Sequence, residues 1–484
     1  VTTVVVAALL AGGCTGPRGP EGPPGANGDS GAKGVNGDGG ASCSVTDNHD
    51  GTSTIHCTDG TSATVASGSS GSNGASCTLV NNGNGTRTIT CGGGDGGDAS
   101  TVTVSDATVD YTLLTADEKS QAAMSAVITG VTFPADGRPV VNLKVSERHG
   151  YGVKNLAATA VTWRFALLKL VPGLSASTPG VNGSANDTWV SYLAANDHSV
   201  ASSETAVAAN LTDNGDGTYV YRMAKVINGG PTTAGTTYEA DKVHRLIVLL
   251  YATGNPFTPI NLVKEVIPTT GADVTGQNDK VDSTACLECH TSFRAITGGT
   301  GEFGSGEFHG GVRYDIKTCV ACHNDQRRFS ATGTVVTEPA MNPDGTWTGP
   351  AGVINDEAVI DLPVFIHKIH MGNKLTLTGG TYAGVPQPYE TTYPQDVRNC
   401  VKCHRAPAPL ADNWKNKISR RACGACHDGH SFSAANPLPP GRSAHGNGLG
   451  GPRSDDSQCT VCHTGNLDVP SQHLTVSDPN PNNI

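Results

Sequence analysis

Cys286-Leu287-Glu288-Cys289-His290 opens a series that decides the second half of the chain. The pattern Cys-x-x-Cys-His returns at Cys319-Val320-Ala321-Cys322-His323, Cys400-Val401-Lys402-Cys403-His404, Cys423-Gly424-Ala425-Cys426-His427 and Cys459-Thr460-Val461-Cys462-His463. Two thiols one helical turn apart can each bond to one vinyl-derived carbon of a porphyrin, and the adjacent His reaches the iron. This is the attachment signature of c-type haem. Cys-x-x-Cys also serves zinc sites and redox dithiols. Zinc would require the copies to pair into four-ligand sets and leaves the constant His unexplained. A dithiol accounts for one copy, not five.

Each iron has a sixth position, and its occupant separates an electron carrier from an enzyme with an open site. Of 16 histidines, five belong to the motifs and six more lie in the same region: His309, His367, His370, His430, His445 and His473. His309 sits between the first two motifs. His367 and His370 stand three apart in Phe365-Ile366-His367-Lys368-Ile369-His370-Met371, so a short helix turns both to one side, toward two neighbouring haems. His445 precedes the fifth motif and His473 follows it. The expected distal set is His309, His367, His370, His445 and His473, which makes five covalently bound bis-histidine haems c. Any one of them could instead be a surface or propionate-contacting residue. His430, three residues past His427, is expected to be such a residue.

Working outward, the remaining five of 15 cysteines are Cys14, Cys43, Cys57, Cys77 and Cys91. Cys43–Cys57 reads CSVTDNHDGTSTIHC and Cys77–Cys91 reads CTLVNNGNGTRTITC, an internal repeat with equal spacing. Each is two short strands about an Asn/Asp/Gly turn. Hairpins this small bury no useful core, so a disulfide across each is expected, Cys43–Cys57 and Cys77–Cys91, in an oxidising compartment. The run Val1–Leu10 followed by Ala11-Gly12-Gly13-Cys14 reads as the end of a secretion signal with a bacterial lipoprotein cleavage box, lipid going onto Cys14. The alternative is an ordinary signal peptide and a free cysteine. From Gly16 to Gly40 every third residue is glycine. This collagen-like tract is expected to be a solvated spacer lifting the protein off a membrane; trimerisation through it is the competing reading.

Residues 99–270 carry strand candidates at Ala126–Phe133, Val140–Val145, Ala160–Leu170, Thr188–Leu193, Thr218–Met223 and Leu246–Tyr251. Trp163, Phe165 and Leu167 alternate with Thr162, Arg164 and Ala166. A β-sandwich or split Greek-key barrel is expected. His149, His198 and His244 read as structural or exposed. After about 271, turns and haem motifs take over, and macrocycles are expected to serve as core. A surface excursion is expected around Gly379–Pro394. The domain plan is 1–13 signal remnant, 14–40 tether, 41–98 hairpin repeats, 99–270 β domain and 271–484 pentahaem domain with little regular structure. The net charge of −11 without a basic block argues against nucleic acid as a partner. No nucleophile arrangement for hydrolytic chemistry is evident.

The chain resembles the OmcA/MtrC family, the outer-membrane decahaem cytochromes of metal-reducing bacteria. The resemblance covers nearly the whole chain. It rests on the lipoprotein start, the cysteine hairpins, Lys169-Leu170-Val171-Pro172-Gly173 and the Asn-Gly-Asp turn. It rests most on Phe308-His309-Gly310, Ile366-His367-Lys368-Ile369-His370 and Ala422-Cys423-Gly424-Ala425-Cys426-His427-Asp428. It implies split-barrel and pentahaem domains in alternation, two of each, of which five motifs make the front half. It implies the same distal ligands. It also implies a place on the outer face of the outer membrane, a porin-embedded multihaem cytochrome as electron donor, and ferric minerals, soluble metals, humics or flavins as acceptors. A terminal metal reductase is the expected role. A subunit of a cytochrome filament, self-assembled through end haems, is one alternative. A reductase of a small oxyanion or nitrogen oxide with one open haem is the other.

Overall fold

The computed structural model describes residues between 43 and 473. It leaves out 51, 58–61, 67–76, 82–85, 93–98, 106–107, 159–160, 175–182, 195–202, 231–235, 291, 294–307, 329–335, 338, 341–347, 349–351, 355–356, 377–391, 433–437, 439–440, 449–450 and 464–467. Cys14, the glycine-periodic tract, His198 and most of the Gly379–Pro394 stretch lie outside the described residues. The chain divides into two compact units, 1–78 with 90–101 and 79–89 with 102–484.

Strands β1 (Cys43–Asp47), β2 (Thr52–Cys57) and β3 (Ser62–Ala66) form a three-stranded sheet in that order. Cys43 and Cys57 are register partners at the open end of the first hairpin. At its closed end Asn48 N–H donates to Thr52 O at 3.0 Å, and Asp50 accepts from both the N–H and the hydroxyl of Thr52. Strands β4 (Cys77–Asn81), β5 (Thr86–Cys91) and β6 (Ser100–Ser105) make a second such sheet. Cys77 and Cys91 are joined by a disulfide.

Two six-stranded sheets follow. The first contains β7 (Thr108–Asp110), β8 (Ser125–Thr132), β9 (Val140–Ser146), β10 (Gly152–Lys154), β14 (Leu211–Asp213) and β15 (Thr218–Arg222). The second contains β11 (Val161–Val171), β12 (Thr188–Ser191), β13 (Glu204–Thr205), β16 (His244–Ala252), β17 (Ile260–Ile267) and β18 (Ala272–Val274). A short helix, α1 (Ala116–Gln121), is closed at its start by the reciprocal Thr115–Glu118 capping box. The six expected strands are β8, β9, β11, β12, β15 and β16. The sequence reading missed β17, Ile-Asn-Leu-Val-Lys-Glu-Val-Ile, because Lys264 and Glu265 interrupt its apolar pattern. Lys264 bonds Asp273 across to β18, and Glu265 is buried as a partner of Arg245.

The β14–β15 hairpin repeats the first hairpin's turn. Asn214 N–H donates to Thr218 O at 3.1 Å, and Asp216 accepts from the Thr218 N–H and hydroxyl. Asp-Asn-His-Asp-Gly-Thr and Asp-Asn-Gly-Asp-Gly-Thr are the same local solution, an Asp side chain standing in for a backbone acceptor. Gly217 has φ +87°, and a Cβ there would lie 2.4 Å from Gly152 Cα, so only glycine fits.

The sheets share one core. Val141, Leu143, Val145, Tyr219 and Tyr221 of the first meet Trp163, Phe165, Leu167, Leu246, Val248 and Leu250 of the second. Phe165 stacks on Tyr221 at 3.9 Å between ring centroids. Strands β11 and β16 are buried on both faces. Their other face, Ala166, Leu168, Leu170, Ile247 and Leu249, packs with Trp189 against Ala321 of the second Cys-x-x-Cys-His motif. The alternation read along β11 is real, but from Phe165 to Val171 both faces of this strand are buried.

Beyond residue 278 the regular elements are short. They are α2 (Ser283–Cys286), α3 (Ile316–Cys319), α4 (Leu362–Met371), α5 (Asn413–Asn416), α6 (Arg420–Cys426), α7 (Cys459–Cys462) and α8 (Asp468–Gln472). Two-residue strands pair as β19 (Val353–Ile354) with β20 (Glu357–Ala358) and β21 (His430–Ser431) with β22 (Ser443–Ala444). The longest piece, α4, has Pro363 in its first turn and stops at Gly372, φ +48°. Among the described residues no helix is long and apolar enough to cross a membrane.

Candidate functional site

Each motif is built as a single closed turn. The His N–H donates to the carbonyl of the first Cys in all five copies: His290 to Cys286 at 2.9 Å, His323 to Cys319 at 2.8 Å, His404 to Cys400 at 2.9 Å, His427 to Cys423 at 2.8 Å and His463 to Cys459 at 2.9 Å. None of the ten motif cysteines is in a disulfide.

Opposite each motif imidazole stands a second one. Ring centroids are 6.1 Å apart for His290 and His370, 6.1 Å for His323 and His309, and 6.2 Å for His404 and His367. The separations are 6.3 Å for His427 and His473 and 6.0 Å for His463 and His445. A metal–imidazole bond of about 2 Å on each side puts two ring centres about 6 Å apart, so the residues present fit an iron between each pair. The five partners are the five histidines singled out in the sequence. His367 and His370, one helical turn apart on α4, face two different motifs, the third and the first.

The backbone sets which nitrogen is offered. His323 Nδ1–H donates to Ile360 O at 3.1 Å, His370 to Ile366 O at 2.8 Å and His473 to Val469 O at 2.8 Å. Nε2 is left for the metal, and the ring is held in orientation. Burial pushes His323 and His404 down to about 4 and His367 down to about 3, so these rings stay neutral with lone pairs available. His309 has φ +53°, a left-handed conformation next to Gly310, which turns its ring back toward the second motif. His430, the spare, sits on β21 with Nδ1 3.1 Å from the Ser443 hydroxyl. His244 is a core residue, held between the Tyr192 hydroxyl at 2.7 Å and Lys242 O at 2.9 Å. His149 pairs with Glu147 at the surface.

Side chains outside the motif pattern hold the motifs in order, and no spacing or periodicity marks them. Ser283 Oγ, at the start of α2, accepts from Ile316 N–H at the start of α3, joining the first and second motifs. Glu288 of the first motif pairs with Lys402 of the third and with Arg405. Arg421 of α6 pairs with Asp361, which precedes α4, at 2.7 Å and packs the fourth motif's helix on the helix that serves the first and third. Arg420 pairs with Asp456, just before the fifth motif, at 2.9 Å. These links join the second motif to the first, the first to the third, the helix that serves both of those to the fourth, and the fourth to the fifth. The second motif lies against the barrel: Gln326, fully buried, accepts from Ser191 N–H at 2.7 Å and donates to Ser191 O at 3.1 Å. Arg245, held by Glu265 and Asp279, reaches Lys317 O at 3.3 Å. At the opposite end Val461 is 74% exposed, and Cys462 and His463 are exposed beside it. Aromatic rings back several ligands: Phe293 on His290, Tyr393 on His370, Phe365 on His323 and Phe432 on His445.

Five Cys-x-x-Cys-His turns with a facing histidine for each define a multihaem c-type cytochrome. Residues 278–474 match the family described as outer membrane cytochrome MtrC/MtrF-like, domains II/IV. The chain is similar in structure to MtrC from Shewanella baltica OS185, with 19% identity, a TM-score of 0.46, 72% of this chain covered and 44% of that one. It is similar also to the outer membrane decaheme cytochrome OmcA, with 20% identity, a TM-score of 0.45, 69% of this chain and 48% of that one. The chain thus spans less than half the length of either structure. No curated protein matches it.

Proposed function

We propose that this chain moves electrons through five bis-histidine haems c on the outer face of the outer membrane. The carrying observation is the facing of every motif histidine by a second histidine at 6.0–6.3 Å. Haem, when bound, supplies an iron that exchanges single electrons. The paired histidines would hold that iron from both sides, which would leave no place for a substrate and argues against an oxyanion or nitrogen oxide reductase. The residue pairs that join neighbouring motifs favour an unbranched series whose ends are the barrel-side second motif and the exposed fifth.

On this reading residues 271–484 are the pentahaem domain, 99–270 a split barrel that walls one end of the series, and 14–40 a tether lipidated at Cys14. Cys43–Cys57 pairs as Cys77–Cys91 does. A porin-embedded multihaem cytochrome supplies the electrons, and ferric minerals, soluble metals, humics or flavins accept them. Electron paramagnetic resonance of the oxidised protein, together with its mass, tests the proposal. Five added haems, all low-spin, are expected. A stoichiometric high-spin ferric signal would sink it.

A further inference from the structure

The five facing pairs are alike in distance and unlike in angle. The ring planes meet at 33° for His367 and His404, 39° for His445 and His463, and 59° for His309 and His323. They meet at 75° for His290 and His370 and 85° for His427 and His473. The angle between axial imidazole planes governs the splitting of the iron d orbitals, so near-perpendicular and near-parallel pairs have different magnetic signatures and potentials. What fixes that angle is the packing outside the ligands.

For the first centre the fixing residue is identifiable. The His370 ring is held on one side by Nδ1–H to Ile366 O at 2.8 Å. Tyr393 packs against it as a second support. Its ring stands edge-on to His370 at 87°, with centroids 5.4 Å apart. Its hydroxyl lies close to Cys403 of the third motif, whose sulfur becomes a thioether on haem attachment. Beside this bridge the Glu288 clasp to Lys402 and Arg405 ties the same two motifs together. Tyr393 thus has its hydroxyl beside one motif while its ring meets the facing histidine of another. Truncating it leaves His370 with an open side.

We infer that Tyr393 is a positioning residue that holds the axial ligand planes of the first haem near perpendicular and bridges the first haem to the third. The inference rests on the bis-histidine reading above, for the first pair in particular.

The test is low-temperature electron paramagnetic resonance on the full haem-loaded chain, as wild type, Tyr393→Phe, Tyr393→Leu and Tyr393→Met, each with its haem stoichiometry by mass. The wild type should show large-gmax low-spin signals from two haems, the first and fourth centres, beside more rhombic ones. If the wild type is not fully low-spin, the underlying reading has failed and not the role of Tyr393. Tyr393→Leu and Tyr393→Met should move one large-gmax signal toward the rhombic region and leave the other four haems unchanged. Tyr393→Phe keeps the ring edge and should keep the signal. Loss of one haem in Tyr393→Leu, with five retained in Tyr393→Phe, would also support the assignment. An unchanged spectrum in both truncations, a shift of all five signals together, or haem loss already in Tyr393→Phe would overturn it.

Discussion

The barrel and the haem-motif region solve the problem of a stable interior with opposite materials. Between the two large sheets lie Trp163, Phe165, Tyr219, Tyr221 and a set of aliphatic side chains, with Phe165, Tyr219 and Tyr221 fully buried. Around the motifs the buried residues are different in kind: Asp325, Gln326, Arg327, Arg328, Asp361, Lys368, Arg420, Arg421 and Asp456. Charges sit inside a protein only when paired, and they supply little net stability even then. One region is held by its own side chains. The other is arranged around something those side chains do not provide, which is what the proposed macrocycles would supply.

Withholding the macrocycle should have the largest effect. Chain produced without haem attachment should keep amide-exchange protection across 108–274 and lose it across 278–473. Equal protection in both regions would mean that the haem region has an adequate core of its own. A core truncation in the barrel sharpens the contrast from the other side. Phe165→Ala should cost about 3–5 kcal/mol of barrel stability, read from the denaturant midpoint, while all five haems and their spectra stay as they were.

The smallest effect is acid sensitivity confined to the barrel. Burial pushes His244 down to about 4. In the unfolded chain it takes a proton near 6.5. Between those values the unfolded state binds more protons, so stability falls as pH drops from about 6.5 to 4, by about 3 kcal/mol in total, and no further below that. Denaturation at pH 7.5 and pH 4.5 should show this loss in the wild type and a shallower one in His244→Gln. Equal slopes would mean that His244 is not the titrating group.

Much of this architecture was legible from sequence because it is periodic or spaced. The alternation of Trp163, Phe165 and Leu167 marks β11, and the fixed Cys-x-x-Cys-His spacing marks every attachment turn. The histidines that face the motifs were legible through local context: three-residue spacing for His367 and His370, a place between the first two motifs for His309. What was hidden depends on long-range partners. Nothing in the local sequence marks Gln326 and Arg421 as buried; Ser191 and Thr188 of β12, far away in the chain, are what they bond to. β17 was obscured by Lys264 and Glu265, whose charges are answered by Asp273 and Arg245 far away in sequence. One-to-one pairing of the histidines is of the same kind, since His445 precedes its partner's motif and His473 belongs not to the fifth motif before it but to the fourth.

Five interchangeable attachment turns raise a question of identity that the Glu288 clasp answers. The residues between the cysteines are Leu287-Glu288, Val320-Ala321, Val401-Lys402, Gly424-Ala425 and Thr460-Val461. Only two of these ten positions carry charge, the charges are opposite, and they meet. The variable letters of the first and third motifs therefore act as complementary labels. A chain whose haem sites are chemically identical can tell which two belong side by side before any electron arrives.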